Sequence, residues 1–357
     1  MIADNPTASA AAAIDNRNVL AADETTDDGA SVSGESLASS TASVSSSVLD
    51  YRIENGRTYH KYKDGKYFAP NDDREKDRLD LMHNQFLLSL DDRLGTAPPN
   101  QPDAEVGRVL DVGTGTGIWA MDFGDEHPGA EIIGVDLSAT QSTFVPPNVR
   151  FEIDDIEEPW TFSEPFDYIH VRMMKGSIRD WKTFFQRCFD NLSPGGYIEL
   201  SDLDILPVAD DDTLTEDTSL MKAFRLFCDA LAKMGVAFET ADGFKNMIEE
   251  VGFEDVHVKP FKWPTNGWAK DPKHRLLGSW NYDNLAPNLD GLLMAPLTRA
   301  FDWEKAEVHV LAMETRKDLG NRNIHAYFNV LVNILAPFFP STSTAFPVPL
   351  PLSDVFL

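Results

Sequence analysis

The chain has 357 residues, with 58 acidic side chains against 31 basic ones and a formal charge of −27. That balance excludes a direct nucleic-acid binder, which needs a concentrated basic face, and charge-driven docking on anionic lipid. Hydrophobic residues at 42% supply a sizeable core, so a wholly disordered chain is excluded as well.

Residues 1–50 hold ten Ser, eleven Ala, eight acids and a single base, Arg17, with no aromatic residue. Such a segment cannot bury enough apolar surface to offset its ordering entropy, and a disordered tail is expected there. Nothing in the first twenty residues reads as a signal peptide, and no apolar run is long enough to span a membrane. Cys188 and Cys228 are isolated, and the eight histidines show no metal-ligand spacing, so no metal is expected. A soluble intracellular protein is the expectation.

From Tyr51 the texture turns aromatic and basic. Leu79, Met82, Phe86, Leu87 and Leu90 then form one helical stripe, with Asp72 or Asp73 as its cap. Residues 51–103 read as a cover segment ending in a Pro-rich linker. Val109–Val112, Ile132–Val135, Phe166–Val171 and Tyr197–Leu200 read as buried strands alternating with helices at Ile118–Phe123 and Trp181–Leu192. That alternation implies an α/β fold with a parallel sheet. Thr215 is placed to cap a helix running to Met234, a second helix ends at Gly252, and Phe253–Val258 alternates like a strand. Residues 272–319 read as mostly helical, so a helical lid is expected over about 215–319. From Phe328 the chain is apolar, with five prolines and no Lys or Arg, and 329–357 reads as a divergent tail outside a domain of 104–328. Within it, Val330–Ile334 is a candidate last strand.

Val109-Leu110-Asp111-Val112-Gly113-Thr114-Gly115-Thr116-Gly117 sits where a strand turns into a helix. Alternate glycines let the backbone turn tightly and approach a ligand. Asp136, nineteen residues beyond Gly117 at the next strand end, suits a pair of ribose hydroxyls. The third glycine comes one residue earlier than in a dinucleotide loop, and Asp111 would repel a pyrophosphate. This combination suits S-adenosylmethionine, whose far end carries a sulfonium and an ammonium.

The pattern resembles class I S-adenosylmethionine-dependent methyltransferases, and more narrowly their fungal LaeA-like group. Tyr59-His60-Lys61, Asn71-Asp72 with Glu75, Arg78-Leu79, His83, the glycine loop, Phe151–Glu157, Phe166–Arg172 and Ser193–Tyr197 carry the resemblance. It implies a Rossmann-like sheet with a helical N-terminal cover and a helical insertion. It also implies Asp111 and Gly113 at the methionine end of the cofactor, Gly115 and Gly117 beneath it, Asp136 at the ribose, and Asp154 or Asp155 at the adenine amino group, Asp155 being preferred. His170 and Arg172, at a carboxyl strand end, are candidates for proton transfer and for anchoring a substrate carboxylate. His83 and Tyr59 belong to the cover of the same edge. Trp263, Trp268, Trp280, Tyr282 and Trp303 crowd the lid, either as core or as the wall of a site for a planar apolar substrate. The expected activity is methylation of a small molecule in fungal secondary metabolism, in the cytoplasm or the nucleus. The alternative is a nuclear regulator of that metabolism acting through protein partners.

Overall fold

A computed structural model describes residues 50–337 apart from 237, 239 and 240. The tail expected over 1–50, Asp50 excepted, and residues 338–357 lie outside the described residues.

A hairpin of β1 (Tyr51–Glu54) and β2 (Arg57–His60) opens the cover. It leads into α1 (Asp73–Ser89), where the Asp72 side chain accepts the Glu75 N–H at 3.1 Å and also pairs with Arg57 at 2.7 Å. The cap thus ties the helix start to the hairpin. Sequence pattern did not anticipate the hairpin, because its two strands are only four residues each.

The main sheet has seven strands in the order β5-β4-β3-β6-β7-β9-β8. They are β3 (Arg108–Val112), β4 (Glu131–Asp136), β5 (Val149–Ile153), β6 (Phe166–Arg172), β7 (Leu192–Leu203), β8 (Phe253–Pro264) and β9 (Tyr327–Pro337). The first five are parallel; β9 runs antiparallel to both β7 and β8. The strand at Val149–Ile153 escaped the sequence pattern, since Arg150 and Glu152 break the apolar run.

Side chains alternate across the sheet, as the pleat requires. Leu110, Val112, Ile169, Val171 and Ile198 face α3 (Trp181–Asp190) and α5 (Ala241–Val251). Val109, Ile132 and Tyr168 face α2 (Ile118–Glu126) through Trp119 and Phe123. A separate apolar cluster joins α4 (Ser219–Lys233), α7 (Leu289–Phe301) and α8 (Lys305–Gly320), while α6 (Pro272–Leu285) packs against α1 and the Trp263 end of β8.

Several sequence expectations need correction. The boundary after residue 328 falls inside β9, which pairs along both flanks, so the region expected as a divergent tail begins within the sheet. The insertion is not one continuous lid, because α5 covers the sheet and β8 belongs to it. The α4 cap is Thr218, not Thr215; its hydroxyl accepts the Met221 N–H. Among the described residues no helix is long and apolar enough to cross a membrane, and no His/Cys/Asp/Glu group could hold a metal ion.

Candidate functional site

At the carboxyl edge of the parallel strands lies a cavity of about 240 Å3. Its floor includes Gly113–Thr116, Asp136, Asp154, Asp155 and Arg172; its roof runs from α1 to Phe224, Phe227, Leu285 and Leu292 of the helical insertion.

The glycine loop is shaped by its own hydrogen bonds. Gly113 and Thr114 N–H groups donate to the Val135 carbonyl, Gly117 N–H to the Thr114 carbonyl, and Gly115 N–H to Asp136 Oδ2 at 2.9 Å. Those four donors are therefore committed inside the fold, leaving them unable to cradle a phosphate. Gly113, Gly115 and Gly117 all have positive φ. A Cβ on Gly117 would lie 2.4 Å from the Phe151 ring, so this glycine packs against β5 and does not line the cavity.

Asp136 receives a second N–H, from Ser138 at 2.9 Å, and its remaining surface faces the cavity. Burial pushes its carboxyl up to about 6, against the pull of those N–H donors. Asp155 is the buried member of its pair; it is salt-bridged to Lys66, which also meets Glu157 at 3.1 Å. Asp154 is exposed, and its Oδ1 accepts the Asp155 N–H.

Four expected positions are corrected by packing. Asp111 is 2% exposed, its Oδ1 beside His170 Nδ1 at 2.7 Å and its Oδ2 accepting the Thr114 hydroxyl at 2.5 Å. It braces the loop from beneath and does not line the cavity. His170 is stacked on Trp119 with ring centroids 3.6 Å apart, and burial pulls it down to about 4. A neutral, sealed imidazole cannot take a proton from a substrate. His83 is likewise buried off the cavity, between Asp122 and Arg172. Tyr59 lies in β2 beneath Arg299, its hydroxyl without a partner among the described residues and pushed up to about 12 by burial.

Other cavity residues carried no predicted role. Arg78 donates to Glu75 Oε1 at 2.7 and 3.0 Å and to Asn284 Oδ1 at 3.3 Å, placing a half-buried ion pair on α1 over the site. Their i, i+3 spacing on the inward face of an amphipathic helix was a readable signal. Tyr67 lines the cavity, and burial raises its hydroxyl well above the ordinary phenol range. Asp202, at the end of β7, accepts the Lys175 and Leu203 N–H groups and is pushed up to about 6 by burial. Of the five lid aromatics, only Trp263 lines the cavity.

A methyltransferase-domain family matches residues 60–258, more than half of the chain. The chain belongs to the methyltransferase family. Its cofactor is S-adenosylmethionine, and the donor set fits: carboxylates line the floor, and the Gly113, Thr114, Gly115 and Gly117 amides are spent inside the fold. The methyltransferase is 38% identical to methyltransferase pytC of Aspergillus terreus over 295 residues, 82% of this chain and 90% of that one. It is 39% identical over 285 residues to secondary metabolism regulator LAE1 of Cochliobolus heterostrophus, covering 78% and 92%. It is 33% identical to the protein-methionine methyltransferase laeA of Emericella nidulans, covering 79% and 75%.

Proposed function

We propose that this methyltransferase modifies a small, uncharged and mostly apolar acceptor in secondary metabolism, inside the cell. One observation carries the reading: a single cavity joins the glycine loop and Asp136 to the apolar walls Phe224, Phe227, Trp263, Leu285, Leu292 and Phe328. On the acceptor side Arg78 and Lys175 are both paired, with Glu75 and Asp204, so no cation there awaits an anionic group.

S-adenosylmethionine supplies an electrophilic methyl group on a sulfonium. In this proposal Asp136 takes the ribose hydroxyls, and Asp155, balanced by Lys66, faces the adenine amino group. Tyr67 stays protonated and donates a hydrogen bond to an acceptor oxygen. Asp202 is the proton acceptor, since a carboxyl near 6 is mostly ionised at neutral pH yet basic enough to take a proton. Positioning supplies roughly 7–11 kcal/mol of barrier lowering and a base roughly 3–5 kcal/mol, so the shape of the cavity matters more than any one group.

The test is incubation with methyl-labelled S-adenosylmethionine and an organic extract of a fungal culture. Label in a small organic-soluble product supports the proposal. A second reading, methylation of a protein side chain, has the similarity to a protein-methionine methyltransferase in its favour; label only in protein would replace the first reading with the second.

A further inference from the structure

Five cationic side chains line the cavity: Lys66, Lys76, Arg78, Lys175 and Arg172. Lys66 pairs with Asp155 and Glu157, Lys76 with Asp73, Arg78 with Glu75, and Lys175 with Asp204. Arg172 differs. Among the described residues no carboxylate lies within ion-pair distance of it. Its Nη1 and Nη2 both point at His83 Nδ1, at 3.3 Å, and its flat face lies over Phe86, 5.0 Å from the ring centroid.

Because an arginine only donates, His83 Nδ1 is the acceptor, and the ring proton sits on Nε2, facing Asp122 Oδ2 at 2.9 Å. His83 thus orients Arg172 through a ring lone pair and supplies it no counter-charge. Burial lowers the guanidinium to about 10 in spite of the Asp111, Asp122 and Glu199 carboxylates nearby, none of which reaches ion-pair distance. A half-buried charge of this kind is costly unless a ligand completes it.

We propose that Arg172 binds the α-carboxylate of the cofactor's methionine end, with His83 and Asp122 as positioning residues. Arg172 ends β6 and Asp136 ends β4, with only β3 between them. Two strand spacings, roughly 10 Å, separate the ribose-side carboxylate from this guanidinium along the same sheet edge. That places Arg172 at the opposite end of an extended adenosyl ligand. The residues that hold Arg172 come from α1 and α2 and from no helix of the insertion, so it faces the cofactor half of the cavity. A planar fork suits a carboxylate better than a point charge would. The anchor for a substrate carboxylate expected from sequence is thereby reassigned to the cofactor.

The inference rests on the cavity being the S-adenosyl site, and two probes separate the claims. Titrate the full chain with S-adenosylhomocysteine and with its decarboxylated analogue, reading the dissociation constant by calorimetry. The wild type is expected to prefer the carboxylated ligand by roughly 10- to 100-fold. In R172M that preference collapses, while affinity for the analogue changes by less than about threefold. R172K, which keeps the charge and loses the fork, falls between; H83F reduces the preference several-fold without changing analogue affinity. Equal wild-type affinity for the two probes overturns the inference without any variant. So does an R172M that keeps the preference, or one that weakens both ligands alike. Failure of the wild type to bind S-adenosylhomocysteine overturns the site reading itself.

Discussion

His170 Nδ1 lies 2.7 Å from Asp111 Oδ1, joining two residues that are direct register partners on neighbouring parallel strands. Glu199 on β7 continues the same row as the partner of His170. Three ionisable side chains thus lie side by side on one sheet face, all buried. Asp111 also accepts the Thr114 hydroxyl, so the row supports the glycine loop from below. These groups form a foundation beneath the glycine loop, and none of the three lines the cavity.

Replacing His170 by Ala removes the partner of a buried carboxylate and opens a void under Trp119. A loss of about 2–4 kcal/mol is expected in chemical denaturation. Turnover of the folded fraction should fall modestly, through a loosened loop. A hundredfold fall in kcat at unchanged stability would instead make His170 catalytic. The wild-type pH–rate profile should carry no limb from this residue near neutrality, since it sits near 4.

Burial raises Asp136 and Asp202 to about 6 and Glu199 to about 7. Between pH 4 and 7 the native state therefore holds protons that the unfolded chain has released. Stability from these groups is complete below about pH 4 and declines as pH rises through 7. Glu199 accepts the Thr96 and Ala97 N–H groups at 2.8 and 2.6 Å, a role an amide oxygen can share. E199Q should match the wild type near pH 5 and gain on it by pH 8, measured by urea unfolding across that range. A difference that does not vary with pH would refute the assignment. His170 acts in the opposite direction, its contribution being lost as pH falls from about 6.5 towards 4.

Ribose recognition by Asp136 predicts that D136N weakens S-adenosylhomocysteine binding by roughly 10- to 100-fold. Wild-type affinity should also drop as pH falls through 6, where Asp136 takes up its proton. Thermal shift with saturating S-adenosylhomocysteine across that pH range, with NAD as the control ligand, reads both effects.

Gly115 and Gly117 should respond differently to Ala. Both have positive φ, which costs about 1–2 kcal/mol for an L side chain. At Gly115 the nearest neighbour of an added Cβ is Leu79 Cδ1 at 3.4 Å, an ordinary contact, whereas at Gly117 the Phe151 ring lies at 2.4 Å. G117A should therefore be the more destabilising by at least about 1 kcal/mol in unfolding measurements. Equal losses would mean the Phe151 ring yields freely.

Deleting residues 329–337 should abolish soluble folding, because β9 bridges β7 and β8. A soluble product with a cooperative melt would show that β8 can re-pair without it.

Much of the site was legible in the chain because it is local. The turn from β3 into α2 needs glycines whatever surrounds it, and Asp136 follows at a set distance along one βαβ unit. Alternation of apolar runs and helices likewise determined four of the five parallel strands, β5 being the exception. What the sequence could not show depends on which face a side chain takes and what lies opposite. Asp111 and His170 look like ligand-facing groups until the pleat turns them under Trp119. Arg172 shares their face, yet it ends the strand, where it lines the cavity beside α1. Val330–Ile334 was legible as a candidate strand inside β9, but the Pro-rich composition after Phe328 hid its extent and its antiparallel pairing with β7, more than a hundred residues earlier, and with β8. Residue chemistry and spacing thus determined the cofactor; register, burial and pairing across the sheet decided which acids and bases reach it.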